Sequence, residues 1–131
     1  MAITLHHLII PAKDKRASAQ LFAEIFDFTV KPSEGRFAQV PIDEHLTIDF
    51  ADDEHTRGIL HFVPEQLESH HYAFHVTDEE FDGIFGRVQA KGLAYGSGPT
   101  QDTDGRVADR RGGRVFYFRE LNGHLLEVMT A

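Results

Sequence analysis

At 131 residues the chain has the size of one compact domain, and its 41% hydrophobic content with eleven Phe argues for a packed core and against disorder. A net charge of −8, with no basic run longer than Arg110-Arg111, disfavours nucleic acid and anionic membranes as partners. Cysteine is absent, which removes disulfides and thiolate metal sites; with no basic leader and no stretch of 18 apolar residues, the expectation is a soluble cytoplasmic protein.

In chain order, residues 3 to 10 (Ile-Thr-Leu-His-His-Leu-Ile-Ile) are apolar and β-branched enough for a strand buried on both faces, which Pro11 ends. Asp14 is placed to cap a helix reaching about Phe26, because Ala17, Leu21, Phe22 and Ile25 recur at three- and four-residue spacing. Three short strands are expected next, at 28 to 30, 36 to 40 and 45 to 50, separated by Pro-Ser-Glu-Gly and Pro-Ile-Asp-Glu turns. Residues 53 to 69 are acidic and aperiodic and read as a connector, with 58 to 63 (Gly-Ile-Leu-His-Phe-Val) as a possible short strand.

The pattern then restarts. Residues 70 to 76 form a second His-His strand, and Thr77 with Glu80 makes a capping box for a helix whose buried stripe is Phe81, Ile84, Phe85 and Val88, stopped by Gly92. Strands are expected at 93 to 96, 114 to 118 and 124 to 130, the last two joined by a hairpin turn at Glu120-Leu121-Asn122-Gly123. Each half is therefore strand-helix-strand-strand-strand: module one over about 1–52, the connector, and module two over about 70–131 of a single domain. The expected class is α+β, with two βαβββ modules forming a curved eight-stranded sheet, helices outside and a central cleft within.

In this repeat the chain resembles the vicinal oxygen chelate superfamily, which includes glyoxalase I, bleomycin- and fosfomycin-resistance proteins, methylmalonyl-CoA epimerase and type I extradiol dioxygenases. The resemblance implies that His7, His71 and Glu127 are metal ligands, a His on the first strand of each module and a carboxylate on the last strand. Two imidazoles and one carboxylate leave coordination positions open for substrate oxygens on Fe(II), Mn(II), Zn(II) or Ni(II). Glu127 lies among Leu125, Leu126, Val128 and Met129, where an ionised carboxylate is costly unless paired or metal-bound. Asp49 on the last strand of the first module is nearest the equivalent place: either a fourth ligand or proton-moving base, or an edge-strand carboxylate facing water.

Phase separates the other candidates. His6 and His70 point the opposite way to the ligands, toward the helices, whereas His75 shares the phase of His71 and is a hydrogen-bond donor behind the ligands, an acid-base group or a filled polar position. Tyr117 alternates with Phe116 and Phe118 and is either a hydrogen-bond donor in the cleft or core filler. His45, His55, His61 and His124 read as surface or turn residues. Residues 96 to 113 read as a long loop, with Arg106, Arg110 and Arg111 as candidates to clamp a carboxylate or phosphate. No phosphate-binding Gly-rich motif is present.

The expected function is thus a metal-dependent enzyme that chelates vicinal oxygens of a small-molecule substrate, by lyase, isomerase or dioxygenase chemistry, with Asp49, Glu127, His75 and Tyr117 as catalytic residues. The alternative is a metal-free drug- or metabolite-sequestering protein of the bleomycin-resistance type. By the same resemblance the chain is expected to be a homodimer.

Overall fold

The computed structural model describes residues 3–33 and 35–131, and the chain divides into a first unit ending at Glu68 and a second, Ser69–Ala131. Eight strands and three α-helices lie within the described residues, a mixed α+β fold whose strands form one three-stranded and one five-stranded sheet.

In the first unit, β1 (His7–Pro11) runs parallel to β3 (Thr47–Ala51), and β2 (Ala38–Pro41) pairs antiparallel on the other side of β3. Helix α1 (Lys15–Phe26) starts where the Asp14 carboxylate accepts from the amides of Arg16 and Ala17. It ends at Asp27, whose backbone turns left-handed at φ 61°. Phe22 of α1 meets Phe50 of β3 at 5.8 Å between ring centroids, so Ile48 and Phe50 mark the helix-covered face. Thr47, Asp49 and Ala51 take the opposite face.

Two expectations fail here. Residues 28 to 30 form no strand: Phe28 is drawn onto Phe22 and Phe26 (5.9 and 6.2 Å), so the segment follows the end of α1 instead of joining a sheet. Residues 58 to 63 are not a strand either, because Asp53 caps a short helix, α2 (Glu54–Leu60), by accepting from the Thr56 amide and hydroxyl. A 3-10 turn follows at Pro64–Gln66. The turn expected at 32 to 35 includes Glu34, which lies outside the described residues.

The second unit contains β4 (His71–His75), α3 (Asp78–Ala90), β5 (Tyr95–Gly96), β6 (Ala108–Arg110), β7 (Gly113–Arg119) and β8 (Leu125–Met129). The order is β4-β8-β7-β5, with β6 also on β7; β4 and β8 are parallel and the rest antiparallel. The capping box forms as expected: Thr77 accepts from the Glu80 amide and Glu80 from the Thr77 amide. Phe81 and Phe85 of α3 meet Phe116 edge-on at 5.3 and 5.2 Å, so α3 covers the face carrying Phe116 and leaves Val115 and Tyr117 on the other. No helix among the described residues is long and apolar enough to cross a membrane.

The expected loop at 96 to 113 contains β6. Arg111 and Gly112 both have positive φ (52° and 81°), the geometry of a two-residue hairpin turn whose twist matches the flanking strands, and Arg110 therefore pairs with Gly113. His124, expected at the surface, is fully buried (0% exposed). Glu120 accepts from the amides of Asn122 and His124, which folds the turn inward, and the His124 ring accepts from the His70 amide at 2.9 Å.

Beside it, the Tyr72 hydroxyl lies 2.7 Å from His70 Nδ1. Burial, with the Glu120 charge adding to it, pushes the Tyr72 phenol up to about 12. The unfolded chain releases this proton near pH 10, roughly the free-tyrosine value, while the folded chain keeps it. Stability is therefore expected to be intact below pH 10 and to fall as pH rises from 10 toward 12. Urea midpoints at pH 9, 10 and 11 should show that fall in the native chain and a shallower one in Tyr72→Phe; equal slopes would refute the assignment.

Candidate functional site

β8 lies between β4 and β7, so each of its side chains has cross-strand neighbours on both sides. Val128 partners Phe116 under α3; Glu127, one residue back, partners Tyr117 and Ala73 on the face away from α3. The strand's alternation thus places an acid on the same face as His71, Tyr117 and His75.

Glu127 is 5% exposed. His71, whose ladder partner is Leu125, reaches it with Nε2 3.1 Å from Oε1. The other ring nitrogen, Nδ1, is 3.0 Å from the Leu125 carbonyl oxygen. A carbonyl only accepts, so Nδ1 carries the proton, and in the neutral ring Nε2 is the nitrogen with a free electron pair. Nε2 and Oε1 then face one another as two electron-pair donors, an arrangement that needs a proton or a metal cation between them. Two ligand atoms about 2.1 Å from one ion and roughly at right angles are about 3.0 Å apart, so the observed spacing suits one edge of a coordination shell. The pair thus supplies two donors of the kind a divalent ion takes.

The carboxylate's other oxygen, Oε2, is 2.9 Å from Arg110 Nη2. Arg110 Nη1 donates to the Tyr117 hydroxyl at 3.1 Å, and Nη2 lies 3.5 Å from Met129 Sδ. Tyr117 is itself buried, packed with Val115 and Leu125 and stacked near the His71 ring at 6.3 Å. Burial, then the Glu127 charge, raises the Tyr117 phenol above its ordinary value, with Arg110 opposing, so the hydroxyl keeps its proton at neutral pH. His75 stands exposed on the same face, paired with Met129.

Sequence reasoning named Arg110 only alongside Arg106 and Arg111. The signal that distinguishes it is the Arg-Gly pair at 111 and 112: a two-residue turn there sets Arg110 opposite Gly113 and on the face of Val115 and Tyr117.

The first unit carries the same register. His7 pairs with Thr47 and Ile9 with Asp49, as His71 pairs with Leu125 and Ala73 with Glu127; Gln39 partners Asp49 where Tyr117 partners Glu127. Asp49 is not a water-facing edge carboxylate. It sits on the central strand, is 4% exposed, and accepts from Gln39 Nε2 at 3.2 Å. His7 is exposed, its Nδ1 2.9 Å from that of His6. Among the described residues no group of three or more His, Cys, Asp or Glu side chains is gathered as a metal site; His71 and Glu127 form a pair, and further donors must be added to complete a shell.

Residues 4–128 match the family model described as the Glyoxalase/Bleomycin resistance protein/Dioxygenase superfamily. No curated protein matches the chain. Among solved structures it is similar to "Oxidase ChaP-H2", at 36% identity over 100% of this chain and 95% of that one with a TM-score of 0.87, and to "Oxidase ChaP-H1", at 35% identity over 99% and 97% with a TM-score of 0.85. The fosfomycin resistance protein FosX from Mesorhizobium loti shares the fold at 21% identity, covering 100% and 94% with a TM-score of 0.69.

The Glu127–Arg110 pair should be visible in stability. Glu127→Leu leaves a partly buried guanidinium without its carboxylate, and Arg110→Met leaves a buried carboxylate without its guanidinium. Each single change is expected to destabilise by about 1–3 kcal/mol, and the double variant by less than the sum. Urea denaturation of the four chains measures this; strict additivity would show that the pair contributes nothing.

Proposed function

The chain belongs to the Glyoxalase/Bleomycin resistance protein/Dioxygenase superfamily, and from that premise we propose that it is a metal-dependent enzyme oxidising a small molecule that presents two adjacent oxygens to the ion. The observation that carries this reading is the His71–Glu127 pair, a tautomer-fixed imidazole nitrogen and a buried carboxylate oxygen 3.1 Å apart. Oxidation is preferred over isomerisation or elimination because the two oxidases named above are similar over nearly the whole chain at 36% and 35% identity.

His71 and Glu127 would hold the ion, with His7 as third ligand from this chain or from a second copy in a homodimer. A bound divalent ion, iron(II) for an oxidation, supplies a Lewis acid to both substrate oxygens and a path for electrons to dioxygen. The protein's own residues do the remaining work. The Leu125 carbonyl fixes which imidazole nitrogen is offered, and Arg110, itself bonded to the Tyr117 hydroxyl, aims Glu127. Tyr117, held protonated, donates a hydrogen bond. His75, exposed on the same face, takes or returns a substrate proton, and Asp49 is the second carboxylate available for that role or for ligation.

Protein purified without chelators is expected to carry a divalent metal. His71→Ala and Glu127→Ala should each weaken its binding on the order of 100-fold with circular dichroism unchanged. Undiminished metal in both variants would remove the reading. For the assembly, sedimentation equilibrium should return twice the 14.8 kDa chain mass; a single-chain mass would refute the homodimer.

A further inference from the structure

We propose that Arg110 couples metal binding to the binding of an anionic oxygen of the substrate, so that ion and anion each strengthen the other's hold; this rests on the metal-dependent reading above. Arg110 gives Nη2 to Glu127 Oε2 and Nη1 to the Tyr117 hydroxyl, while its Nε is buried with no acceptor. Nε and Nη2 form one edge of the guanidinium, the fork that takes two oxygens of an anion side-on. Here half of that fork is engaged and half is vacant. The side chain is 37% exposed through its other atoms while Nε is buried, so an anion meets Nη2 first and gains Nε as Glu127 Oε2 gives way.

Charge supplies the coupling. A glutamate carboxylate ligand carries one negative charge, here already facing Arg110, and a metal-binding imidazole carries none. A divalent ion held by Glu127 would add positive charge beside a guanidinium already bound to the same 5%-exposed carboxylate, and the two cations would repel. An anionic oxygen removes that repulsion. It ligates or borders the ion and completes the Nε and Nη2 edge, either beside Glu127 Oε2 or in its place. The substrate class this selects is a small molecule whose chelating oxygens are ionised, as an enolate, a phenolate or a carboxylate, over one whose oxygens are all neutral. Because binding free energies are reciprocal, an ion that favours the anion must be favoured by it to the same factor.

Isothermal titration of Mn(II) into the metal-free chain, with and without oxalate and corrected for the affinity of oxalate for free Mn(II), tests this. Arg110→Met should bind Mn(II) alone about tenfold more tightly than the native chain, and oxalate should strengthen Mn(II) binding at least tenfold more in the native chain than in the variant. Arg110→Lys keeps the charge but not the fork; it should bind Mn(II) alone as weakly as the native chain while losing most of the oxalate effect. Circular dichroism checks each fold, and the Lys variant stands as the test should the Met variant not fold. Weaker or unchanged Mn(II) binding in Arg110→Met, or an equal oxalate effect in all three chains, overturns the proposal and shows Arg110 to be only a support for Glu127. That result is distinguishable from failure of the metal-dependent reading, in which the native chain binds no Mn(II) or His71→Ala binds it undiminished.

Discussion

The second unit is organised by one constraint: a carboxylate that is 5% exposed is costly to bury unless positive charge and hydrogen bonds meet it. Glu127 sits on the central strand of its sheet, among apolar residues of β8, and each of its oxygens has an assigned neighbour. Oε1 faces His71, whose tautomer is set by a backbone carbonyl; Oε2 faces Arg110. Tyr117 joins the second side. Its phenol is raised by burial and by the Glu127 charge, so it serves as a hydrogen-bonding hydroxyl and not as a second anion. The consequence is a carboxylate with one oxygen anchored by a guanidinium and the other facing the His71 ring.

The two faces of the same strand do different jobs. Leu126 and Val128 lie on the side of Phe116, where Phe81 and Phe85 of α3 close an aromatic core by edge-on contacts. Leu125, Glu127 and Met129 lie on the side left open by the helix. Period-two alternation on a strand anchored by a helix thus holds a polar site on a rigid floor, with Val115, Tyr117 and Leu125 packed together beneath the charged groups.

The first unit reproduces the register with altered chemistry. Asp49 stands where Glu127 stands and Gln39 where Tyr117 stands, relative to His7 and His71. Aspartate is one methylene shorter and its hydrogen-bonding neighbour here is a neutral amide. The repeat therefore preserves placement while changing charge and reach, so the two halves cannot be chemically equivalent.

Much of this was legible from residue types alone. The capping residues Asp14, Thr77 and Glu80, the helical stripe of Phe81, Ile84 and Val88, and the restart of the pattern at the second His-His pair are local signals. They act within one or two turns of chain, and the structure follows them. Where the structure departs from the sequence reading, some causes are local contacts that compete with strand formation or exposure, and one is strand pairing. Phe28 joins the α1 aromatics instead of a strand; Asp53 turns residues 54 to 60 helical; His124 is buried by a turn that Glu120 organises. Above all, Arg110 is one of three similar arginines until the β6–β7 hairpin brings it to Glu127, 17 positions along the chain. Alternation determined which residues share a face, but only the folded sheet, by choosing strand order and register, decided which of them touch.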